Sequence, residues 1–98
     1  MTRTLQVLTA LALVVTALPF ATPAQAQTAR INGAKVVGEC IHEYDLYEND
    51  NTHKAFAASS NGQFCGYSYG DDSLGEAEDR ALEECGTRSR NCRIIASY

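Results

Sequence analysis

A small, disulfide-stapled α+β fold is what this sequence predicts, on three observations. Asn61-Gly62 divides two strand-like segments, Ser73 opens an amphipathic stretch that ends at Gly86, and Cys40, Cys65, Cys85 and Cys92 punctuate a short chain. The expected order is hairpin, helix, closing strand (ββαβ), with an N-terminal segment packed on the sheet.

The hairpin comes first. Lys54 to Ser60 and Gln63 to Tyr69 flank Asn61-Gly62, the dipeptide favoured where both turn positions need positive φ. A two-residue turn pairs Ser60 with Gln63, Ala58 with Cys65 and Phe56 with Tyr67. Alternation then places Phe56, Ala58, Cys65, Tyr67 and Tyr69 on one face. Ala55, Ala57, Ser59, Phe64, Gly66 and Ser68 fall on the other, whose small middle admits a closely packed helix.

That helix follows in the chain. Ser73-Leu74-Gly75-Glu76 reads as a capping box. Leu74, Ala77, Ala81, Leu82 and Cys85 form one apolar stripe, opposite Glu76, Asp79, Arg80, Glu83 and Glu84. Glu76 with Arg80 makes a favourable i,i+4 pair, and Gly86 occupies the place of a left-handed C-cap. Beyond a polar turn from Thr87 to Asn91, Cys92 to Tyr98 reads as a strand, with Ile94 and Ala96 on the side of Cys92 and Ile95 opposite. It is expected to return beside Lys54 to Ser60 through a right-handed crossover.

Upstream, the pattern is weaker. Gln27 to Ala34 reads as polar and mobile. Val36 to Tyr47 fits a helical spacing better than strict alternation, yet two valines and Gly38 weaken the helix. Glu48 to His53 reads as a solvated loop without the spaced carboxylates and glycine of a calcium loop.

Residues 1–26 follow the pattern of an export leader. Arg3 precedes an apolar run from Leu5 to Leu18, and Pro19 and Pro23 lead to Ala24-Gln25-Ala26, a small-x-small cleavage site. The run is shorter than the ~20 residues a bilayer needs, and no cysteine stands at the cleavage point for lipidation. Cleavage near Ala26 predicts a periplasmic or secreted bacterial product with no membrane insertion, organised as residues 27–53 (N-terminal segment and acidic loop) and 54–98 (ββαβ core) of one domain. Removing 26 of 98 residues leaves 72, a size at which a core alone supplies only ~3–5 kcal/mol. Arg3 is the leader's sole charge, so the remainder carries 7 basic and 12 acidic residues, net −5. Without a basic cluster, that balance argues against nucleic acid and anionic membranes as partners.

Four cysteines in an exported domain of this size predict two disulfides. No C-x-x-C motif supports a metal or redox site, and Cys40-x-His42 alone does not make one. Cys85 ends the helix stripe and Cys92 begins a strand after a reversal, so these two are expected to pair. Cys65 points to the aromatic hairpin face, away from the helix, and is left for Cys40. That bond would draw the N-terminal segment over Phe56 and Tyr67.

The runs from Lys54 to Ser59, Gly66 to Gly70, Glu76-Ala77, Ala81 to Cys85 and Cys92 to Ala96 resemble a family of small exported bacterial domains, domain of unknown function 4189. The resemblance covers residues 54–97 and leaves Cys40 outside it. It implies a periplasmic or secreted module whose last two cysteines form a structural pair, and it brings no catalytic residues. Similar short chains sometimes bear the label 5-aminolevulinate synthase. That chemistry needs a large fold around a pyridoxal phosphate Schiff base, whereas Lys35 and Lys54 are the only lysines here.

Residues able to do chemistry are few. His42 and His53 are the only histidines, no serine sits in a Gly-x-Ser-x-Gly turn, and His42 beside Glu43 reads as surface. No catalytic residue, metal site or cofactor is expected. Phe56, Tyr67 and Tyr69 are the candidate binding residues, because tyrosines favour binding surfaces. The competing reading packs them beneath the N-terminal segment, burial that a small domain needs. The expected function is a non-enzymatic binding or accessory module, with a periplasmic or envelope protein as partner. The alternative is an inhibitor-like or envelope-associated protein acting through the acidic loop Glu48–Asp50, and a minimal enzyme centred on His42 ranks third.

Overall fold

The computed structural model describes residues 27–98; the export leader expected at 1–26 lies outside the described residues. The elements run β1 (Thr28–Ile31), β2 (Ala34–Val37), α1 (Glu39–Glu48), β3 (Ala55–Ser59), β4 (Cys65–Ser68), α2 (Leu74–Gly86) and β5 (Cys92–Ser97). This is the α+β architecture that the sequence predicts. A three-stranded sheet has the order β4-β3-β5, and both outer strands run antiparallel to β3. β4 and β5 are therefore parallel to each other with β3 between them, and α2 joins them as a split βαβ unit.

The central hairpin keeps the expected register, Ala58 with Cys65 and Phe56 with Tyr67. Its turn is different. Only Gly62 has positive φ there, at 76°, and the Ser59 N–H donating to the Phe64 carbonyl at 2.8 Å closes a four-residue loop, 60–63, in which Ser60 and Gln63 do not pair across the strands. Side chains capture the loop's amides. Asn61 Oδ1 accepts from the Gln63 N–H at 3.1 Å, and Ser59 Oγ accepts from the Phe64 N–H at 3.0 Å. An Asx-type bond of this kind substitutes for the tight backbone turn.

The N-terminal segment departs most from expectation. Gln27 to Ala34 is not a mobile tail, because Thr28–Ile31 pairs antiparallel with Ala34–Val37 as a second hairpin. Asn32 and Gly33 both take positive φ at its turn, 51° and 85°. Val36 to Tyr47 is two elements, not one. Gly38, at φ 59°, ends β2 and serves as N-cap of α1, a reversal that resists any residue with a Cβ.

In α2, Ser73 caps the helix by accepting the Glu76 N–H at 3.1 Å. Glu76 returns its carboxylate to the Asp72 N–H, one residue earlier than a capping box requires. It does not pair with Arg80, which instead binds Asp71 at 2.7 Å. Gly86 is the last helical residue and is not left-handed. Thr87 forms the C-cap, with Oγ1 donating to the Glu84 carbonyl at 2.8 Å.

Two small cores lie on opposite faces of β3. Ala55 and Ala57 meet Ala77, Ala81 and Cys85 of α2 on one face. Phe56, Ala58 and Cys65 meet Ile31, Val36, Cys40 and Tyr47 on the other. Gly66 explains how α2 approaches so closely. A Cβ there would lie 2.4 Å from the Cys85 nitrogen and 2.8 Å from the Ala81 carbonyl oxygen. At Gly62 the approach is as tight, for a Cβ would lie 2.3 Å from the Lys35 carbonyl oxygen.

In β5, a bulge places Ala57 opposite Ile94 and Phe56 opposite Ala96. Ile95 and Ala96 therefore both pack toward the aromatic core, while Cys92 and Ile94 face α2. Strict alternation puts Ala96 on the side of Cys92 and Ile94. An extra residue in one strand restores the phase on the other side.

Both cysteine pairings are as expected. Cys40–Cys65 joins α1 to β4 with Cα atoms 5.9 Å apart, and Cys85–Cys92 closes the turn after α2 at 6.1 Å. Two such bonds mark a chain that folds in an oxidising, extracytoplasmic compartment. Among the described residues, no helix is long and apolar enough to cross a membrane.

Candidate binding face

The three candidate residues do not share one environment. Phe56 has no exposed surface and lies at the centre of the aromatic core. Its ring is 5.2 Å from that of Tyr44, 5.7 Å from Tyr47 and 6.2 Å from Tyr67. It is a core residue and cannot touch a ligand directly. Tyr67 is half-buried, stacked on Phe56, while Tyr69 is 49% exposed and meets Tyr67 edge-on at 6.0 Å. The N-terminal segment covers the inner end of the aromatic row and leaves its outer end open.

Acidic groups from α1, the loop after it and α2 lie on the Tyr67 side of the row. Cys40 is bonded to Cys65, so Glu43, three residues along α1, is carried to the β4 side and stands 3.4 Å from Cys65 Sγ. Burial pushes the Glu43 carboxyl above its usual range. Arg88 opposes that rise, while Glu39 and Glu84 add to it. The Tyr67 hydroxyl is likewise pushed up, first by burial and then by the negative charges of Asp50 and Glu43. The acidic loop thus adjoins the tyrosines.

Beside Tyr67 and Ser68, a concavity of ≈ 440 Å³ opens against Arg80, Glu83, Glu84 and Thr87. Arg80 is held by Asp71, whose side chain is only 2% exposed. The Ser68 hydroxyl donates to that carboxylate and, together with Arg80, holds it below the usual carboxylate range against the opposing effect of burial.

The far end of the row is structural. Lys54 Nζ donates to the Tyr47 and Glu48 carbonyls at 3.0 and 2.8 Å and sits 4.8 Å above the centre of the Tyr47 ring. The ammonium thereby caps the C-terminus of α1. Burial, aided by Tyr44 and Glu48, pushes the Tyr47 phenol up to about 12. The unfolded chain ionises this group near pH 10, so its contribution is complete below pH 10 and is lost as pH rises toward 12. Alkaline titration of thermal stability is expected to show a loss in that window, reduced in Tyr47→Phe; an unchanged alkaline limb would refute the assignment.

His42 is exposed on α1, where it borders a concavity shared with Gln27, Gly38, Glu39, Ile41 and Asp45. Among the described residues, no group of three or more His, Cys, Asp or Glu side chains could hold a metal ion. The sequence reading missed Glu43 and Glu84 as parts of the tyrosine face. Helical spacing from Cys40, combined with the expected Cys40–Cys65 bond, was the available signal for Glu43. No family model, curated protein or solved structure matches this chain.

Proposed function

We propose that this chain is a small exported accessory module that binds a partner protein through Tyr67 and Tyr69 and catalyses no reaction. The observation that carries the reading is the edge-on tyrosine pair at the open end of a buried aromatic row. The inner rings fix Tyr67, so little conformational freedom remains to be lost there on binding. Tyr69 offers an amphipathic surface of the kind concentrated at interfaces.

A cleaved leader at 1–26, a periplasmic or secreted location and membership of the domain of unknown function 4189 family belong to the same reading. The disulfides support export, and the residue runs from 54 to 97 support the family. The inhibitor-like alternative through Glu48–Asp50 draws on the same surface, because Asp50 acts on the Tyr67 hydroxyl. The partner is expected to be a periplasmic or envelope protein.

Affinity capture from periplasmic extract with the oxidised protein tests this. A discrete partner is expected to be retained by the native sequence and lost with Tyr69→Ala, whose exposed ring makes a folding defect a poor explanation. Capture indifferent to Tyr69 would remove the tyrosine face from the function.

A further inference from the structure

The chain carries the Asn-Gly dipeptide twice, at Asn32-Gly33 and Asn61-Gly62, and the fold treats the two copies in opposite ways. A glycine has no side chain to block approach, so its amide nitrogen can reach the side-chain carbon of the preceding asparagine. In a folded protein that attack waits on whatever must open first.

At Asn61-Gly62 several contacts must open. Gly62 is buried, and its N–H donates to the Ser59 carbonyl at 2.9 Å. Asn61 Oδ1 accepts from the Ser59 hydroxyl at 2.7 Å and from the Gln63 N–H at 3.1 Å, while Nδ2 donates to Gln63 Oε1 at 3.3 Å. The Lys35 carbonyl lies close over the glycine as well. Asn32 and Gly33 are instead exposed at the tip of the β1–β2 hairpin, and nothing lies within 4 Å of a Cβ on Gly33. The Asn32 carboxamide is restrained by Nδ2 donating to the Ile95 carbonyl at 2.7 Å.

We infer that Asn32 is a site of spontaneous deamidation in the folded protein, and that the Ser59–Gln63 loop holds Asn61 unreactive. The Gly33 nitrogen loses its proton to base and bonds to Asn32 Cγ. The Cγ–Nδ2 bond breaks, and that nitrogen takes up a proton and leaves as ammonia. Water then opens the succinimide at either carbonyl, giving aspartate or isoaspartate, with no oxidation or reduction. Either product replaces the Nδ2 donor by a carboxylate, so two acceptors face each other at Ile95 with no proton between them. Isoaspartate also adds a backbone carbon to a two-residue turn. The hairpin tip is thereby untied from β5.

The test is a time course of the oxidised protein in mildly alkaline buffer, beside the same protein reduced and unfolded in denaturant. Tryptic peptides are read by mass spectrometry for Asn, Asp and isoaspartate. Cleavage after Arg30 and Lys35 places Asn32 on the peptide 31–35, apart from Asn61. In the folded protein Asn32 is expected to convert about ten-fold faster than Asn61, the ratio that one or two additional hydrogen bonds to break would set. Unfolded, the two are expected to convert at similar rates. Asn32→Asp is expected to lower the thermal midpoint by roughly 4–8 °C, the shift of one lost hydrogen bond in a domain of this size. Equal rates at the two sites in the folded protein, or an Asn32 that reacts only after unfolding, would overturn the inference. An Asn32→Asp midpoint equal to the native one would overturn the release from β5.

Discussion

Gly66→Ala is expected to lower stability by ~3 kcal/mol, the cost of forcing volume into a filled site. In a domain of this size that is a fall of roughly 12–24 °C in thermal midpoint. The added methyl would sit 2.4 Å from the Cys85 nitrogen, 2.7 Å from Glu84 Cβ and 2.8 Å from the Ala81 carbonyl oxygen. Two of those atoms are helix backbone, so no rotamer change relieves the clash. The helix itself must lift from β4, and it would carry Glu83 and Glu84 with it. Gly75→Ala is the control, since nothing lies within 4 Å of a Cβ there. It is expected to raise stability by about 0.5 kcal/mol through helix propensity. Thermal unfolding followed by circular dichroism separates the two, and a Gly66→Ala midpoint within a few degrees of the native one would disprove the close-packing account.

Removing the Cys40–Cys65 bond should be comparably severe. Its ends are 25 residues apart, against 7 for Cys85–Cys92, and the longer loop loses more entropy when closed. On a chain-entropy estimate the bonds contribute ~3.5 and ~2.5 kcal/mol respectively. The first figure rivals what a core of this size supplies. Cys40→Ala/Cys65→Ala is therefore expected to lose most of its near-ultraviolet tyrosine signal at 37 °C, as α1 separates from Phe56 and Tyr67. Cys85→Ala/Cys92→Ala is expected to remain folded with a lower midpoint. The reverse ranking would show that the turn after α2, and not the link to α1, holds the domain together.

The central hairpin, α2 and both disulfides were legible because each rests on local pattern or short-range geometry. The two Asn-Gly pairs show where pattern stops. At Asn61-Gly62 the dipeptide suggested a two-residue turn, yet the Ser59 and Asn61 side chains hold a four-residue loop. At Asn32-Gly33 the two-residue turn does form, but its flanks, Thr28–Ile31 and Ala34–Val37, are too short and polar to announce strands. They are held from outside, by Val37 N–H donating to the Gly62 carbonyl at 2.9 Å and by Asn32 Nδ2 donating to the Ile95 carbonyl at 2.7 Å. Tertiary competition also moved Arg80 from Glu76 to Asp71. For the candidate face, alternation found Tyr67 and Tyr69 but could not say that Phe56 would be fully covered. Its acidic surround comes from separate elements, so it emerges only once the chain has folded.

The two cores differ in how they hold their helices. α2 rests on β4 backbone to backbone, at a glycine that leaves no space to slide. α1 rests on a disulfide, on rings meeting at 5.2–5.7 Å and on the Lys54 ammonium at its C-terminal carbonyls. The concavity beside Tyr67 is therefore walled by the fixed helix, which brings Arg80, Glu83, Glu84 and Thr87 to face β4. The Gly66 contact thus sets where that wall stands, and whatever enters the concavity has to meet it there.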